Sequence, residues 1–259
     1  MDPGTTFAQH DPAANEASRW PDSARPPAWG YLATVAWAVA AFLISTIAAY
    51  FTYVFWLKGM TAQYLLRRTF KVQPGQTILV HAAAGGVGVL LCQWGKALGA
   101  TVIGTVGNEE KAALAKANGA HHTILYRKED FAAKVKEITG GKLCDVVYDG
   151  IGKTTFPASL DCIRPMGMFV SFGSASGPIE AFNINILQTK GSLFATRPTL
   201  NTYAAKRADL LAIAQDTFDI VLSGKVKIAV NQKYPLKDAQ KSHRDLEGRE
   251  TTGASILLP

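Results

Sequence analysis

Between residues 77 and 196, short runs rich in β-branched and apolar residues alternate with stretches of helical periodicity. The strand candidates are residues 77–81, 101–105, 122–125, 145–149, 168–172 and 192–196. Between the first five lie helical patterns at 87–98, 109–118, 130–139 and 154–163. Parallel neighbours in a sheet need a crossover connection, and a helix is the common one. The order therefore predicts an α/β chain built on a doubly wound parallel Rossmann sheet of six strands.

The first strand-to-helix turn reads HAAAGGVG over residues 81–88. It is a Gly-x-Gly-x-x-Gly pattern with Ala83 in the first slot and Gly85 and Gly88 in the others. Each slot has a mechanical reason: a tight turn, then a bare backbone that a diphosphate can approach, then a small residue where helix meets strand. The helix N-terminus adds partial positive charge. Sites that take NAD place an Asp or Glu at the end of the second strand, for the ribose hydroxyls. Here that stretch is Gly104-Thr105-Val106-Gly107-Asn108, with no acid at its tip. Lys111 and Arg127 stand ready to neutralise a 2′-phosphate, so NADP is the expected cofactor. Asn108, Glu109 and Glu110 also read as a plain helix cap with acids matched to the dipole, and the two glutamates are the residues that argue against NADP.

The net charge is +7, yet the 27 Lys and Arg are dispersed without a basic run, which argues against nucleic acid as a partner. Cys92, Cys144 and Cys162 are scattered and show no metal-ligand spacing, so no metal site is expected and a reducing compartment fits. Residues 1–30 carry Pro3, Pro12, Pro21, Pro26 and Pro27 and no apolar periodicity, and read as a flexible tail. Residues 31–57 contain no charge, Gly or Pro. As a helix they reach about 40 Å, more than the ~30 Å of bilayer hydrocarbon. Trp29 and Tyr31 lie at one end and Tyr50, Tyr53 and Trp56 at the other, as in interfacial belts. A buried helix inside a globular shell is the alternative. Lys58, Arg67, Arg68 and Lys71 come next with no acid among them, so the expectation is a single-pass membrane protein with its C-terminal domain cytoplasmic. The domain plan is then a tail (1–30), a transmembrane helix (31–57), a nucleotide-binding domain (58–196) and a C-terminal segment (197–259).

Several stretches carry a family resemblance: LKGMTAQYLLRRTFKVQPGQTILVHAAAGGVG, QWGKALGATVIGTVGNEEKAALAKANGA, YDGIGKTTFPASLDCIRPMGMFVSFGSASG, QTKGSLFATRPTL, QKYPLKDAQKSHRDLE and the closing GASILLP. From residue 57 on, the chain resembles the NADPH:quinone oxidoreductases, the zinc-free, zeta-crystallin-like branch of the medium-chain dehydrogenase/reductase family. The resemblance implies that Gly86 and Val87 contact the diphosphate between the slots Gly85 and Gly88. It implies that Gly104, Thr105, Gly107 and Asn108 with Lys111 surround the adenosine ribose phosphate, and that Tyr126 lies against the adenine. Phe172, Gly173 and Ser174 would approach the nicotinamide, and Arg249 would be a further cofactor contact. Gly150 stands where relatives often have serine, so no side-chain contact is assigned there.

The implied chemistry is hydride transfer from the nicotinamide to a quinone, without a catalytic metal and with no general acid nominated. His81, His121, His122 and His243 all read as structural, and Cys92 as core. Family members begin with a GroES-like substrate domain that this text does not match. Residues 197–259 thus read as an α+β remnant of that domain, with strands at 226–230 and 254–258 lacking their partners. Those edges would pair with a second copy, forming a homodimer, or with a separately encoded N-terminal domain, or stay poorly ordered. The expected function is a membrane-tethered, truncated NADPH:quinone oxidoreductase. The alternative is a non-catalytic NADP-binding remnant of a gene fusion or rearrangement.

Overall fold

The computed structural model describes residues 57–258, all inside one compact unit. The tail and all but the last residue of the apolar run lie outside the described residues. Among the described residues no helix is long and apolar enough to cross a membrane. That finding overturns the expected single-pass localisation, and neither the membrane helix nor a membrane partner is retained. Hydropathy weighs one segment in isolation. The next residues form a short helix, α1 (Gly59–Tyr64), widened through Leu65–Thr69, and its Ala62, Tyr64, Leu65 and Leu66 are buried in the core of the α/β unit.

The chain then alternates β1 (Thr77–Val80), α2 (Gly86–Ala97), β2 (Thr101–Val106), α3 (Glu109–Ala117), β3 (His122–Leu125), α4 (Phe131–Ile138), β4 (Cys144–Asp149) and β5 (Ile163–Ser171). It continues through α5 (Asn185–Thr189), β6 (Phe194–Thr196), α6 (Leu200–Tyr203), α7 (Arg207–Leu222), β7 (Gln232–Pro235), α8 (Ala239–Glu247) and β8 (Ser255–Leu258). The first six strands form one sheet in the order β3-β2-β1-β4-β5-β6, with every pairing parallel. This is the doubly wound order, and the direction of winding reverses between β1 and β4. The six-strand Rossmann sheet is as the sequence predicts.

Side-chain alternation explains the two-faced core. Ile78 and Val80 of β1, with Val146 and Tyr148 of β4, pack on one face against Leu91 and Trp94 of α2. Leu79 and Val147 point to the other face, with Ile103, Ile124 and Val135. Each fully buried Ile or Leu contributes roughly 1.5–3 kcal/mol. Tyr148 is enclosed but not orphaned: its hydroxyl donates to Leu65 O at 3.1 Å.

Two expected elements are absent. Residues 154–163 form a turn and a short 3₁₀ segment, Ala158–Cys162, instead of an α-helix. Pro157 sits in the middle of that stretch, lacks an N–H and clashes with the preceding turn. Residues 226–230 are not a strand, because Lys227 is held by a side chain: its N–H donates to Gln93 Oε1 at 2.6 Å and its carbonyl accepts from Gln93 Nε2 at 3.1 Å. The strand begins later, at β7, and pairs in parallel with β8, so the C-terminal strands find each other.

The turn between β1 and α2 is closely packed against the sheet. A Cβ on Gly88 would lie 2.2 Å from Ala82 O and 2.9 Å from Ala83 Cα. A Cβ on Gly104 of β2 would lie 2.6 Å from the methyl of Ala83. Ala83 fills the first slot of the glycine pattern because Gly104, across from it, leaves the room. Gly104→Ala should therefore cost about 2 kcal/mol in urea unfolding, and Ala83→Gly should restore at least half of that loss. Gly88→Ala should cost about 3 kcal/mol with no such rescue, since it meets backbone. Additive losses in the Ala83/Gly104 pair would contradict this packing.

Candidate functional site

The C-terminal ends of β1, β2 and β4 open onto a cleft of about 370 Å³ at the point where the winding reverses. Its floor is the turn of Ala82, Ala84 and Gly85. Ala83 N–H donates to Thr105 O at 3.0 Å and pins that turn to β2. Ala82 takes a left-handed φ of 52°, a conformation an alanine adopts at a cost.

One wall comes from β2 and the elements after it: Thr105, Gly107, Lys111 of α3 and Tyr126 beyond β3. A Cβ on Gly107 would sit 3.2 Å from the Tyr126 hydroxyl and 3.6 Å from Arg127 Nε, so the missing side chain leaves a recess. The segment after α8 closes this corner. Arg249 Nη1 donates to the Tyr126 hydroxyl at 3.3 Å, and the Lys111 ammonium donates to Arg249 O. Arg249 holds a left-handed φ of 61° just past the helix end, a position that favours glycine. Burial lowers the Lys111 pKa, and the guanidinium groups of Arg127 and Arg249 push the same way. An anion in this corner would relieve that.

The opposite wall is the loop after β4, with Ile151, Thr154 and Thr155. Its organiser is Asp149, which is fully buried. Oδ1 accepts from Ile151 N at 2.7 Å and Gly152 N at 3.0 Å. Oδ2 accepts from Thr155 Oγ1 at 2.6 Å and Ser159 Oγ at 3.1 Å. Four donors satisfy the carboxylate without a cation. His81 lies at the centre: Nε2 is 3.0 Å from Ser159 Oγ, Nδ1 is 2.9 Å from Thr105 Oγ1, and the Phe131 ring meets the imidazole edge-on at 5.0 Å between centroids.

Residues 86–208 match the family model described as zinc-binding dehydrogenase. The chain is 52% identical over 203 residues to a quinone oxidoreductase of Pseudomonas aeruginosa, covering 78% of this chain and 62% of that protein. The crystal structure of Escherichia coli quinone oxidoreductase complexed with NADPH superposes with a TM-score of 0.76 at 50% identity, over 78% of this chain and 63% of that one. Over the matched residues the chain is similar to the quinone oxidoreductases of the medium-chain dehydrogenase/reductase family. A 2-haloacrylate reductase from a Burkholderia species is 50% identical over 78% of this chain and 61% of that protein. This chain thus spans about three-fifths of the length of these relatives. Among the described residues, no group of three or more His, Cys, Asp or Glu could hold a metal ion.

The expected site residues fall in three places. Gly85, Thr105, Gly107, Lys111, Tyr126 and Arg249 line the main cleft together. Gly86 lies in a smaller pocket with Lys58 and Gly253, where a Cβ would meet Lys58 Nζ at 2.6 Å and Gly253 O at 2.9 Å. Gly173 and Ser174 line a further cavity of about 390 Å³ near the ends of β5 and β6. Phe172 lays its ring on Gly150, 3.0 Å from where a Cβ would be, so a larger residue at 150 would displace it. Gly88 and Gly104 are buried packing positions, Val87 packs against the core, and Asn108 caps α3, accepting from Lys111 N at 2.9 Å. Glu109 and Glu110 are exposed in the first turn of α3 and do not line the cleft.

His81 closes a buried strand as expected, yet it also lines the cleft, as do Phe131 and Thr155. With Ser159 and Asp149 these residues escaped the sequence reading. The signal was positional: His81 comes directly after β1 and Asp149 ends β4, the two strands that flank the reversal.

Burial lowers the His81 pKa from its ordinary 6.5, and the Asp149 carboxylate offsets this in part. The unfolded chain then binds a proton where the folded one does not, so stability is full above pH ~6.5 and falls as the pH drops below it. Urea unfolding at about pH 7.5 and about pH 5.5 should show a loss through His81 of up to about 1.4 kcal/mol per pH unit. His81→Asn should flatten that slope, while His121, which burial also lowers, contributes to both proteins. An unchanged slope in the variant would contradict the assignment.

Proposed function

We propose that this chain is an NADPH-dependent oxidoreductase that binds the nucleotide across the ends of β1, β2 and β4 and passes hydride to a quinone. The observation that carries the reading is the cationic corner at the end of β2. No acid stands there to take ribose hydroxyls, and Lys111 and Arg249 converge beside Tyr126 and the recess at Gly107. That donor set suits a 2′-phosphate and disfavours the unesterified ribose of NAD. The relatives that carry the name quinone oxidoreductase, and the one solved with NADPH, support the same reading.

When bound, the nucleotide supplies a hydride from C4 of its nicotinamide. This chain's residues hold and orient it. Gly85, whose own N–H is held by Ala82 O, presents a bare backbone, and the N–H groups of Gly86 and Val87 at the α2 N-terminus offer partial positive charge to the diphosphate. Gly88 and Gly104 keep that turn close to the sheet, and Asn108 fixes the start of α3 so that Lys111 projects to the cleft. Phe172, Gly173 and Ser174, at the end of β5, are the residues we assign to the nicotinamide half. The acceptor belongs to the class of conjugated carbonyl compounds, since one close relative is named for quinones and another for 2-haloacrylate. A quinone is the reading most of the relatives favour.

The full-length chain, titrated by fluorescence, should bind NADPH at least about tenfold more tightly than NADH. Lys111→Ala and Arg249→Ala should each weaken NADPH by about three- to tenfold and leave NADH unchanged. Added short-chain quinone should then drive oxidation of NADPH. Equal affinity for the two nucleotides would overturn the cofactor assignment. Tight binding with no quinone-dependent turnover would instead favour the reading of a cofactor-binding protein without catalysis.

A further inference from the structure

The proposed hydride transfer makes no use of Ser159 or Asp149 and asks of His81 only that it line the cleft. Their hydrogen bonds nevertheless have a polarity that can be worked out. Ser159 Oγ has three neighbours: Asp149 Oδ2 at 3.1 Å, Thr155 O at 3.1 Å and His81 Nε2 at 3.0 Å. A carboxylate oxygen and a carbonyl oxygen only accept. The single hydroxyl proton goes to the charged carboxylate, the stronger acceptor, so Ser159 accepts from His81, and Nε2 carries the ring proton. Burial disfavours the charged imidazole, and the neutral ring carries a single proton. Nδ1 is then bare, and its partner at 2.9 Å, Thr105 Oγ1, is the donor. The one proton of Thr105 points at the histidine, and what the hydroxyl has left to offer is its lone pairs.

We propose that the chain Asp149–Ser159–His81–Thr105 holds Thr105 as an obligate hydrogen-bond acceptor in the cleft wall, selecting a ligand that presents a hydroxyl there over one that presents a phosphate oxygen. Asp149, Ser159 and His81 are positioning residues, and Thr105 is the one that meets the ligand. The ligand half of this inference rests on the NADPH reading. In that nucleotide the adenosine 2′ position is esterified, which leaves the 3′-hydroxyl as the sugar donor, while Lys111 and Arg249 on the same side of the cleft take the phosphate. An acid at the end of β2 would accept from the sugar but repel the phosphate beside it. A threonine locked as acceptor accepts without that repulsion. Phe131, edge-on to the imidazole, shields the chain from water that would scramble its polarity.

Two measurements on the full chain test the two halves separately. Without nucleotide, long-range proton–nitrogen correlation spectra of histidine-labelled protein show which ring nitrogen is protonated. His81 should display a protonated Nε2 and a bare Nδ1; the opposite tautomer, or a doubly protonated ring at neutral pH, overturns the wiring. Calorimetry then compares 2′,5′-ADP with its 3′-deoxy counterpart. The native chain should bind the 3′-deoxy compound about five- to tenfold more weakly. Thr105→Val should bind both alike, and Thr105→Ser, which keeps the oxygen, should retain the preference. Equal binding of the two compounds by the native chain, or an undiminished preference in Thr105→Val, overturns the acceptor role. Failure of both to bind, with the expected tautomer in place, overturns the nucleotide reading and the ligand half with it, while the wiring stands on its own spectrum.

Discussion

The approach of α2 to the first strand crossing is the constraint from which the site arises. The chain closes there to distances no further side chain would allow: Gly88 against the carbonyl of Ala82, and Gly104 against the methyl of Ala83. Because those positions are bare, the helix N-terminus comes down onto the sheet at the reversal between β1 and β4. The cleft is the space left in front of it. Widening the turn by one methyl group would move the floor on which every other proposed contact depends. The parallel sheet beneath supplies the rigidity, through strands apolar on both faces and cores on either side.

Much of this was legible in the chain itself, because it obeys local rules. The strands of the large sheet announce themselves by β-branched runs bounded by turns, and the glycine pattern has a steric reason at each slot. Ala83 departs from that pattern, and the sequence also holds the explanation, in Gly104, although only the strand register brings the two together. The failures are equally physical. Residues 154–163 have helical spacing, but Pro157 denies the backbone its bond, and Asp149 draws the nearby amides and hydroxyls to itself. Residues 226–230 look like a strand, but Gln93, distant in sequence, takes both backbone groups of Lys227. One apolar stretch, in turn, does not set the localisation of a whole chain.

The candidate site divides along the same line. Lys111 was read from the residues after the second strand, Tyr126 and Arg249 from the resemblance, and the fold gathers all three at one corner. The buried polar chain on the other wall could not be read in advance. Its links join residues 78 apart, for His81 and Ser159, and 24 apart, for His81 and Thr105, and no spacing rule connects them. Such a chain survives burial because each group has a partner of the right sense, which is the condition under which polar atoms are tolerated inside a core.

The segment of residues 249–253 is part of the cleft's framework. Gly253 N–H donates to Ala84 O in the glycine turn, and the Lys111 ammonium reaches back to the carbonyl of Arg249. These residues are thereby stitched to the floor and to one wall of the cavity at once. A pull on the segment after residue 253 is therefore felt at the Lys111 corner and in the glycine turn together.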